Sequence, residues 1–477
     1  MNEQNLALLT DLYQLTMSYG YWKKGRAEDQ AVFNLFYRRA PFGGEYAIFC
    51  GLEDVLDYLE GFSFCDTDLS YLKALKGNDG QALFEEAYLE YLSDLKLTVT
   101  INSLKEGSLV FPHEPILRIE GPILQCQILE TALLNIVNFQ TLIATKASRI
   151  SYAAGEDDVL EFGLRRAQGI DGGLSASRAA FIGGCKATSN VLAGQLYDIP
   201  VKGTHAHSWV MSFDDEQEAF DSYAEVMPNN VVLLVDTYDT EEGVRKAVKT
   251  AQRLRERGNE IIGIRLDSGD LAALSIKARQ ILDEGGFPEA QIVASNDLDE
   301  YAIKSLKEQG AQISLWGVGT KLVTAFDQAA LGGVYKLSAI EKDGDWQYKV
   351  KLSNDKIKVS NPGLLQIRRF SQNGQFVGDV LYNENDADLE KISAVTLDGK
   401  STFTPVGEAE DLLKPVFNKQ GVLIDRRTCA EIQKIAQEQL AMLPDEIRQI
   451  EDAKAYQAGL EQNLDSLKNR LLEEARK

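Results

Sequence analysis

A chain of 477 residues is too long for one compact core, so two or three domains are expected. Its net charge of −22, from 50 basic and 72 acidic side chains, disfavours nucleic acid and anionic membranes as partners, and any polyanionic ligand must meet a local basic cluster. Five scattered cysteines (Cys50, Cys65, Cys126, Cys185, Cys429) read as reduced thiols, the opening MNEQNLALLTDLYQ lacks a basic n-region, and no apolar run reaches about eighteen residues; a cytoplasmic protein without signal peptide or membrane span is expected.

Residues 1–125 read as an α+β domain, with runs such as QAVFNLFYRRAPFGGEYAIFCG and SLVFPHEPILRIEGPILQC broken by Pro and Gly. ETALLNIVNFQTLIATKASRIS is a long apolar-periodic helix linking that domain to the next. From about residue 159, short β-branched runs (VLEFG, VKGTHAH, VVLLVDTYD, IIGIRLDSGD, IVASNDLD, ISLWGVGT) alternate with helical segments such as TEEGVRKAVKTAQRLRERG and DLAALSIKARQILDEGG. Successive βα units predict an irregular parallel α/β barrel over 126–345. Beyond it, 346–477 form a carboxyl-terminal extension partly closing the amino-terminal domain. It holds a polar hairpin-like stretch, IEKDGDWQYKVKLSNDKIKVS, and ends in a charged amphipathic helix over DEIRQIEDAKAYQAGLEQNLDSLKNRLLEEARK.

Parallel barrels place their chemistry at the carboxyl ends of the strands. The ends here carry Arg165, His205 and His207, Asp236 and Asp239, Arg265 with Asp267, Ser295 with Asn296, and Gly319 with Thr320. Two histidines at one parity in KGTHAHSWVM would share a strand face and admit three readings: metal ligands, a nucleophile, or buried aromatics. The third histidine, His113, lies far away in sequence, whereas catalytic zinc wants three protein ligands. ISLWGVGTKL and VASNDLDE are strand-end turns suited to a 5′-phosphate. Arg265 and Asp267 alternate onto one strand face in RLDSGD, while Asp239 and Asp270 read as helix caps. VVLLVDTYDTEEG superficially matches an acidic pyrophosphoryl-sugar motif but lacks the Gly-rich Thr loop that motif needs. The Arg pairs in NLFYRRAPF and EFGLRRAQG offer at most one guanidinium each to a common pocket.

Taken together, LLTDLYQLTMSYGYW, FYRRAPFGGEYAIFCGLEDVL, EFGLRRAQGIDGGLSASRAAFIGGCKATSNVLAGQ, GTHAHSWVMSF, RLDSGDL and GVGTKL make the chain resemble the nicotinate phosphoribosyltransferases, in their order and over nearly the whole chain up to the end of the barrel. The resemblance implies synthesis of nicotinate mononucleotide from nicotinate and phosphoribosyl pyrophosphate in NAD biosynthesis. It further implies coupled ATP hydrolysis, Mg²⁺ dependence and a homodimer whose active site is shared across the interface. His207, in the AHS context, matches the phosphate-accepting histidine, and Ser208 beside it a phosphate contact; a neutral imidazole nitrogen is a competent phosphoryl acceptor. His205 receives no role and is read as a packed neighbour. By the same resemblance the pyridine stacks between Phe162 and the partner subunit's Tyr13, with Asp11 nearby, and Arg165 meets the nicotinate carboxylate. Arg265 fixes the charged end of the nucleotide, and Asp267 holds ribose hydroxyls or, indirectly, the metal. Asp236 shapes the adjoining wall, Gly319 and Thr320 seat the 5′-phosphate, and Gly203, Ser295 and Asn296 complete the substrate contacts. The absence of an acid between Gly183 and Asn190 favours nicotinate over nicotinamide, whose transfer is the competing reaction; a metal-dependent barrel hydrolase is the rival from another class.

Overall fold

The computed structural model describes residues 6–389 and 392–476. The first five residues of the opening segment read above lie outside them. No helix among the described residues is long and apolar enough to cross a membrane.

The chain folds into two compact units. The first gathers Met1–Leu142, Ala330–Arg427 and Lys434–Lys477, the second Ile143–Ala329 and Thr428–Gln433. The divisions expected after residues 125 and 345 therefore fall inside these units. The reason is pairing: Gly333–Lys342, assigned from sequence to the barrel, runs antiparallel along Gln30–Tyr37. The expected linking helix exists as Glu130–Ala154.

The second unit carries the βα rhythm. Six strands, all parallel, lie in the order Ala187–Thr188, Asp158–Glu161, Leu315–Val318, Gln291–Ala294, Gly263–Leu266, Val232–Leu234. Their central residues, Val159, Leu233, Ile264, Val293 and Trp316 among them, are buried, as expected of a parallel sheet covered on both faces. Asp239 and Asp270 are caps as expected, accepting from the N–H groups of Glu242 and Ala273 at 2.9 and 3.1 Å and opening the helices Thr240–Glu256 and Leu271–Glu284. The ladder between named strands is open at Ala187–Thr188 and Val232–Leu234.

One strand expected from alternation is absent. In VKGTHAH only Val201 pairs, as a parallel bridge to Thr188, and His207 already opens a short helix, His207–Met211. Gly203 interrupts the run, and the His205 side chain takes the Leu234 N–H that a strand backbone would otherwise receive.

The first unit holds a seven-stranded antiparallel sheet in which Lys414–Asn418, from the carboxyl-terminal part, pairs with Thr100–Ser103. The hairpin expected past residue 340 is Gly333–Lys342 with Asp345–Tyr348, turned at Asp343 and Gly344 with φ of 56° and 88°, the two-residue turn that an Asp-Gly pair favours. The single terminal amphipathic helix expected over 445–477 is instead divided. Ala458–Glu461 is a buried strand inside a second, six-stranded sheet, and only Gln462–Glu474 and the single turn Asp445–Arg448 are helical. The alanine, glycine and leucine of that strand are small or apolar enough to lie between Gln375–Asn383 and Ala394–Thr396, so tertiary pairing overrides local helical periodicity.

A buried ionic knot ties two neighbouring strands of the six-stranded sheet, Leu365–Gln372 and Gln375–Asn383, to the loops that carry Glu114 and Tyr456. Arg369 donates twice to Asp379, at 2.6 Å from Nη2 and 3.0 Å from Nε, and Tyr456 Oη donates to Asp379 at 2.8 Å. Glu114 Oε2 lies 3.8 Å from the same guanidinium. Burial first, then the neighbouring Asp379 carboxylate, hold the Glu114 carboxyl well above the usual carboxylate range against the pull of Arg369. The folded chain thus keeps a proton that the unfolded chain releases. Stability tied to Glu114 is full below the unfolded value of ~4.3 and drains away as pH rises through the folded one. Glu114→Gln, neutral throughout, is expected to flatten the pH dependence of the urea midpoint above about pH 5; identical slopes for both proteins would refute the assignment.

Candidate active site

The parallel strands end in polar groups, and Arg265 ties two of them, Asp267 and Ser295, to Thr204 in the segment before His207. It leaves the strand Gly263–Leu266 and donates from Nε to Ser295 Oγ at 2.8 Å, from Nη1 to Thr204 Oγ1 at 3.1 Å and from Nη2 to Asp267 Oδ1 at 2.8 Å. Ser295 follows the next strand and itself donates to Asp267. Alternation places Arg265 and Asp267 on one side, as expected from their spacing. Burial pushes the Asp267 carboxyl up, but the Ser295 hydroxyl and the Arg265 guanidinium more than offset this, leaving it below the usual carboxylate range and ionised.

Asp236 follows Val232–Leu234 and is buried. Its Oδ2 accepts from Asp267 N at 2.9 Å and Ser268 Oγ at 2.6 Å, while Oδ1 is buried without a hydrogen-bond partner. Such an atom calls for a donor from outside the chain. His207 is half-exposed: Nδ1 lies 3.1 Å from Thr237 Oγ1 and Nε2 lies 3.7 Å from Asp267 Oδ2. Ser208, next along the same short helix, and Gly203 ahead of it are exposed.

The two histidines do not share a face. His205 is buried, its Nε2 accepts the Leu234 N–H at 3.1 Å, and its ring meets Tyr223 edge-on at 4.9 Å. With that nitrogen occupied, the pair cannot act jointly as metal ligands. His113 lies in the other unit, buried, with burial the chief cause of a fall to about 4.

On the far side of the sheet, Phe162 follows Asp158–Glu161, its N–H donating to Val318 O at 2.8 Å. Arg265 Cζ stands 5.9 Å from the centre of the Phe162 ring. The ring lies against Gly317: a Cβ there would meet Phe162 Cδ2 and Cε2 at 2.7 and 2.8 Å. Gly317 is inside the strand Leu315–Val318, so the first glycine of GVGTKL serves the aromatic ring, and only Gly319 and Thr320 form the strand-to-helix turn expected of both. Beside that turn, Lys321 pairs with Asp299 at 2.6 Å, linking it to the turn after Gln291–Ala294, where Asn296 and Asp297 take φ of 95° and 45°. Arg165 sits in a single 3-10 turn, Leu164–Arg166, in place of a strand position; it is exposed and makes no hydrogen bond or ion pair among the described residues.

Asp11 and Tyr13 belong to the first unit. Asp11 precedes the helix Leu12–Lys23 and accepts from Thr131 Oγ1 at 3.0 Å; Tyr13 is half-exposed. The same unit holds cations that sequence reading singled out only at Arg38. Arg38 Nε is buried without a hydrogen-bond partner, and burial lowers the ammonium groups of Lys336 and Lys468.

Sequence reading also missed Thr204, Thr237 and Glu161. The two threonines adjoin residues it named, and their short hydroxyls gave no pattern of their own. Glu161 is wholly buried and accepts from Ser177 at 2.9 Å, from Thr188 at 2.5 Å and from the Gly163 N–H, fixing the turn that bears Phe162 and Arg165. An acid inside a strand run was its only signal.

Comparison with known proteins identifies the family. Three family models match in chain order: the nicotinate phosphoribosyltransferase (NAPRTase) N-terminal domain over residues 8–138, the nicotinate phosphoribosyltransferase (NAPRTase) family over 158–361 and the nicotinate phosphoribosyltransferase C-terminal domain over 366–468. A nicotinate phosphoribosyltransferase of Bacillus subtilis (strain 168) is 46% identical over 481 residues, covering 99% of this chain and 96% of the relative. One of Dictyostelium discoideum is 39% identical over 477 residues, covering 90% and 78%. The crystal structure of human nicotinic acid phosphoribosyltransferase superposes with a TM-score of 0.84 at 34% identity, covering 97% of this chain and 99% of that one. The chain, with its charged strand ends gathered on Arg265, belongs to the nicotinate phosphoribosyltransferase family.

Proposed function

We propose that the chain joins nicotinate to phosphoribosyl pyrophosphate, yielding nicotinate mononucleotide and pyrophosphate in NAD biosynthesis, with ATP as co-substrate. The observation that carries the reading is the Arg265–Asp267–Ser295–Thr204 cluster beside the Phe162 ring, within a chain of this family. The pyridine nitrogen attacks the ribose anomeric carbon as the bond from that carbon to the pyrophosphate oxygen breaks. Phe162 stacks on the pyridine, and Arg165, a guanidinium with no partner among the described residues, takes the carboxylate. Asp267 and Asp236 face the ribose hydroxyls, Ser295, Asn296 and Gly203 line the sugar, and Gly319 with Thr320 receives the 5′-phosphate. The orphaned Asp236 Oδ1 beside an ionised Asp267 suits Mg²⁺ held through water, and when bound the ion supplies charge neutralisation for the departing pyrophosphate.

His207 takes the γ-phosphoryl group of ATP: a nitrogen–phosphorus bond forms, the bond to the ADP oxygen breaks, and water later releases inorganic phosphate. The Asp267 carboxylate lies 3.7 Å from Nε2 and favours the ring proton on that side, which leaves Nδ1 beside Thr237 as the attacking nitrogen, with Ser208 near the phosphate oxygens. We read the enzyme as a cytoplasmic homodimer whose site takes the partner subunit's Asp11 and Tyr13. Support comes from exposed apolar residues on Leu12–Lys23 (Leu12, Tyr13, Met17) and around Val191–Tyr197 (Val191, Leu192, Leu196). The parallel sheet is read as an irregular barrel, supported by residues 200–206, which touch both of its open edges: Lys202 N donates to Thr188 O at 3.0 Å, and His205 accepts from Leu234.

Nicotinate is favoured over nicotinamide because Glu161, the acid closest in sequence to the Phe162 turn, already accepts three hydrogen bonds. Turnover of the two bases in competition tests this. Nicotinate is expected to be preferred by on the order of 100-fold or more. Arg165→Ala should raise its KM by about 10- to 100-fold with the smaller effect on kcat, the worth of hydrogen bonds to a charged group. Equal use of both bases, or an unchanged KM, would overturn the assignment.

A further inference from the structure

Among the described residues the strand Val232–Leu234 has a neighbouring strand on one side only. Gly263–Leu266 pairs with it there, and on the other side the Leu234 N–H meets a side chain, His205 Nε2, at 3.1 Å. The ring is well held for this task. His205 Nδ1 lies 3.4 Å from Ala206 O, which takes the ring proton and leaves Nε2 as the acceptor. Tyr223 and Phe220 flank the ring at 4.9 and 6.3 Å, and burial keeps it neutral.

The two partners of this hydrogen bond are the stems of the chemistry. Two residues beyond His205 is His207, and three beyond Leu234 is Thr237, whose Oγ1 lies 3.1 Å from His207 Nδ1. The preceding residue, Thr204, is held by Arg265. The segment is otherwise anchored to the sheet at residues 200–202, against Thr188, and among the described residues no backbone ladder fixes residues 203–206 against Val232–Leu234. We infer that His205 is a positioning residue: its imidazole stands in for a missing strand, sets the register of residues 203–207 against Val232–Leu234, and thereby holds His207 against Thr237 and Asp267. This rests on the reading of His207 as phosphoryl acceptor. It gives a function to a histidine that the resemblance left without one.

Two amide substitutions separate the atoms of the ring. A glutamine amide reaches the place of Nε2, whereas an asparagine amide reaches only that of Nδ1. The full chain with His205→Gln, His205→Asn or His207→Ala is incubated with ATP well below its melting temperature. Acid-labile phosphate is followed in time, and exchange of the Leu234 amide with deuterium is measured alongside. His205→Asn is expected to slow phosphate incorporation and to speed Leu234 exchange, each by about tenfold, the effect of losing one buried hydrogen bond. His205→Gln should restore both, and His207→Ala should incorporate none. Wild-type incorporation in His205→Asn, with none in His207→Ala, overturns the positioning role alone. So does equal slowing by Asn and Gln. Phosphate incorporation by His207→Ala overturns the acceptor reading itself.

Discussion

Replacing His207 with alanine is expected to bring nicotinate transfer with ATP down to the rate seen without it. The loss should lie in the range of about 5- to 150-fold that coupling free energies between sites usually span. The argument is one of differential contacts. A phosphoryl group on Nδ1 adds charge between Thr237 and the Asp267–Arg265 pair, so the two states of His207 present different surroundings to phosphoribosyl pyrophosphate. ATP drives the reaction only to the extent that this difference favours substrate in one state and product release in the other. The measurement is kcat/KM for phosphoribosyl pyrophosphate with and without ATP, in both proteins. ATP stimulation that survives in His207→Ala would remove the histidine from the mechanism.

Arg265→Ala should be more damaging still, lowering kcat/KM by about a hundred- to several thousand-fold, the ~3–5 kcal/mol typical of stripping one partner from a buried pair. Two strand ends and the segment before His207 lose their common donor at once. Arg265→Lys should recover only part, since an ammonium cannot reproduce the fork that reaches Ser295, Thr204 and Asp267 together. The pH profile adds a signed test. Burial already pushes the Asp267 carboxyl up, and the Ser295 hydroxyl and Arg265 hold it down. With the guanidinium gone the carboxyl rises, so activity that needs ionised Asp267 is lost at higher pH than in the wild type, and the acid limb moves upward. An acid limb that stays in place would show that Asp267 titrates outside the steps that limit the rate.

The repeating βα units were legible because each used strong local signals: β-branched runs, aspartate caps and glycine stops between Asp239 and Gly285. So were the positions of Arg265, Asp267, Asp236 and Ser295, whose place at strand ends follows from the rhythm alone. What the sequence hid were features decided by contacts distant along the chain. Ala458–Glu461 has helical surroundings yet pairs with strands some 60 to 80 residues earlier. VKGTHAH alternates like a strand, yet its histidines part company because Leu234 claims one of them. Gly317 looked like part of a phosphate turn because its real neighbour, Phe162, lies more than 150 residues away.

That last contact limits how the enzyme could be retuned. Phe162 rests on bare backbone, with no side chain beneath it that trimming could remove, and even a methyl group would lift the ring. If Phe162 carries the base as proposed, room for a bulkier heterocycle must come from across the ring, because the backbone beneath it has no slack.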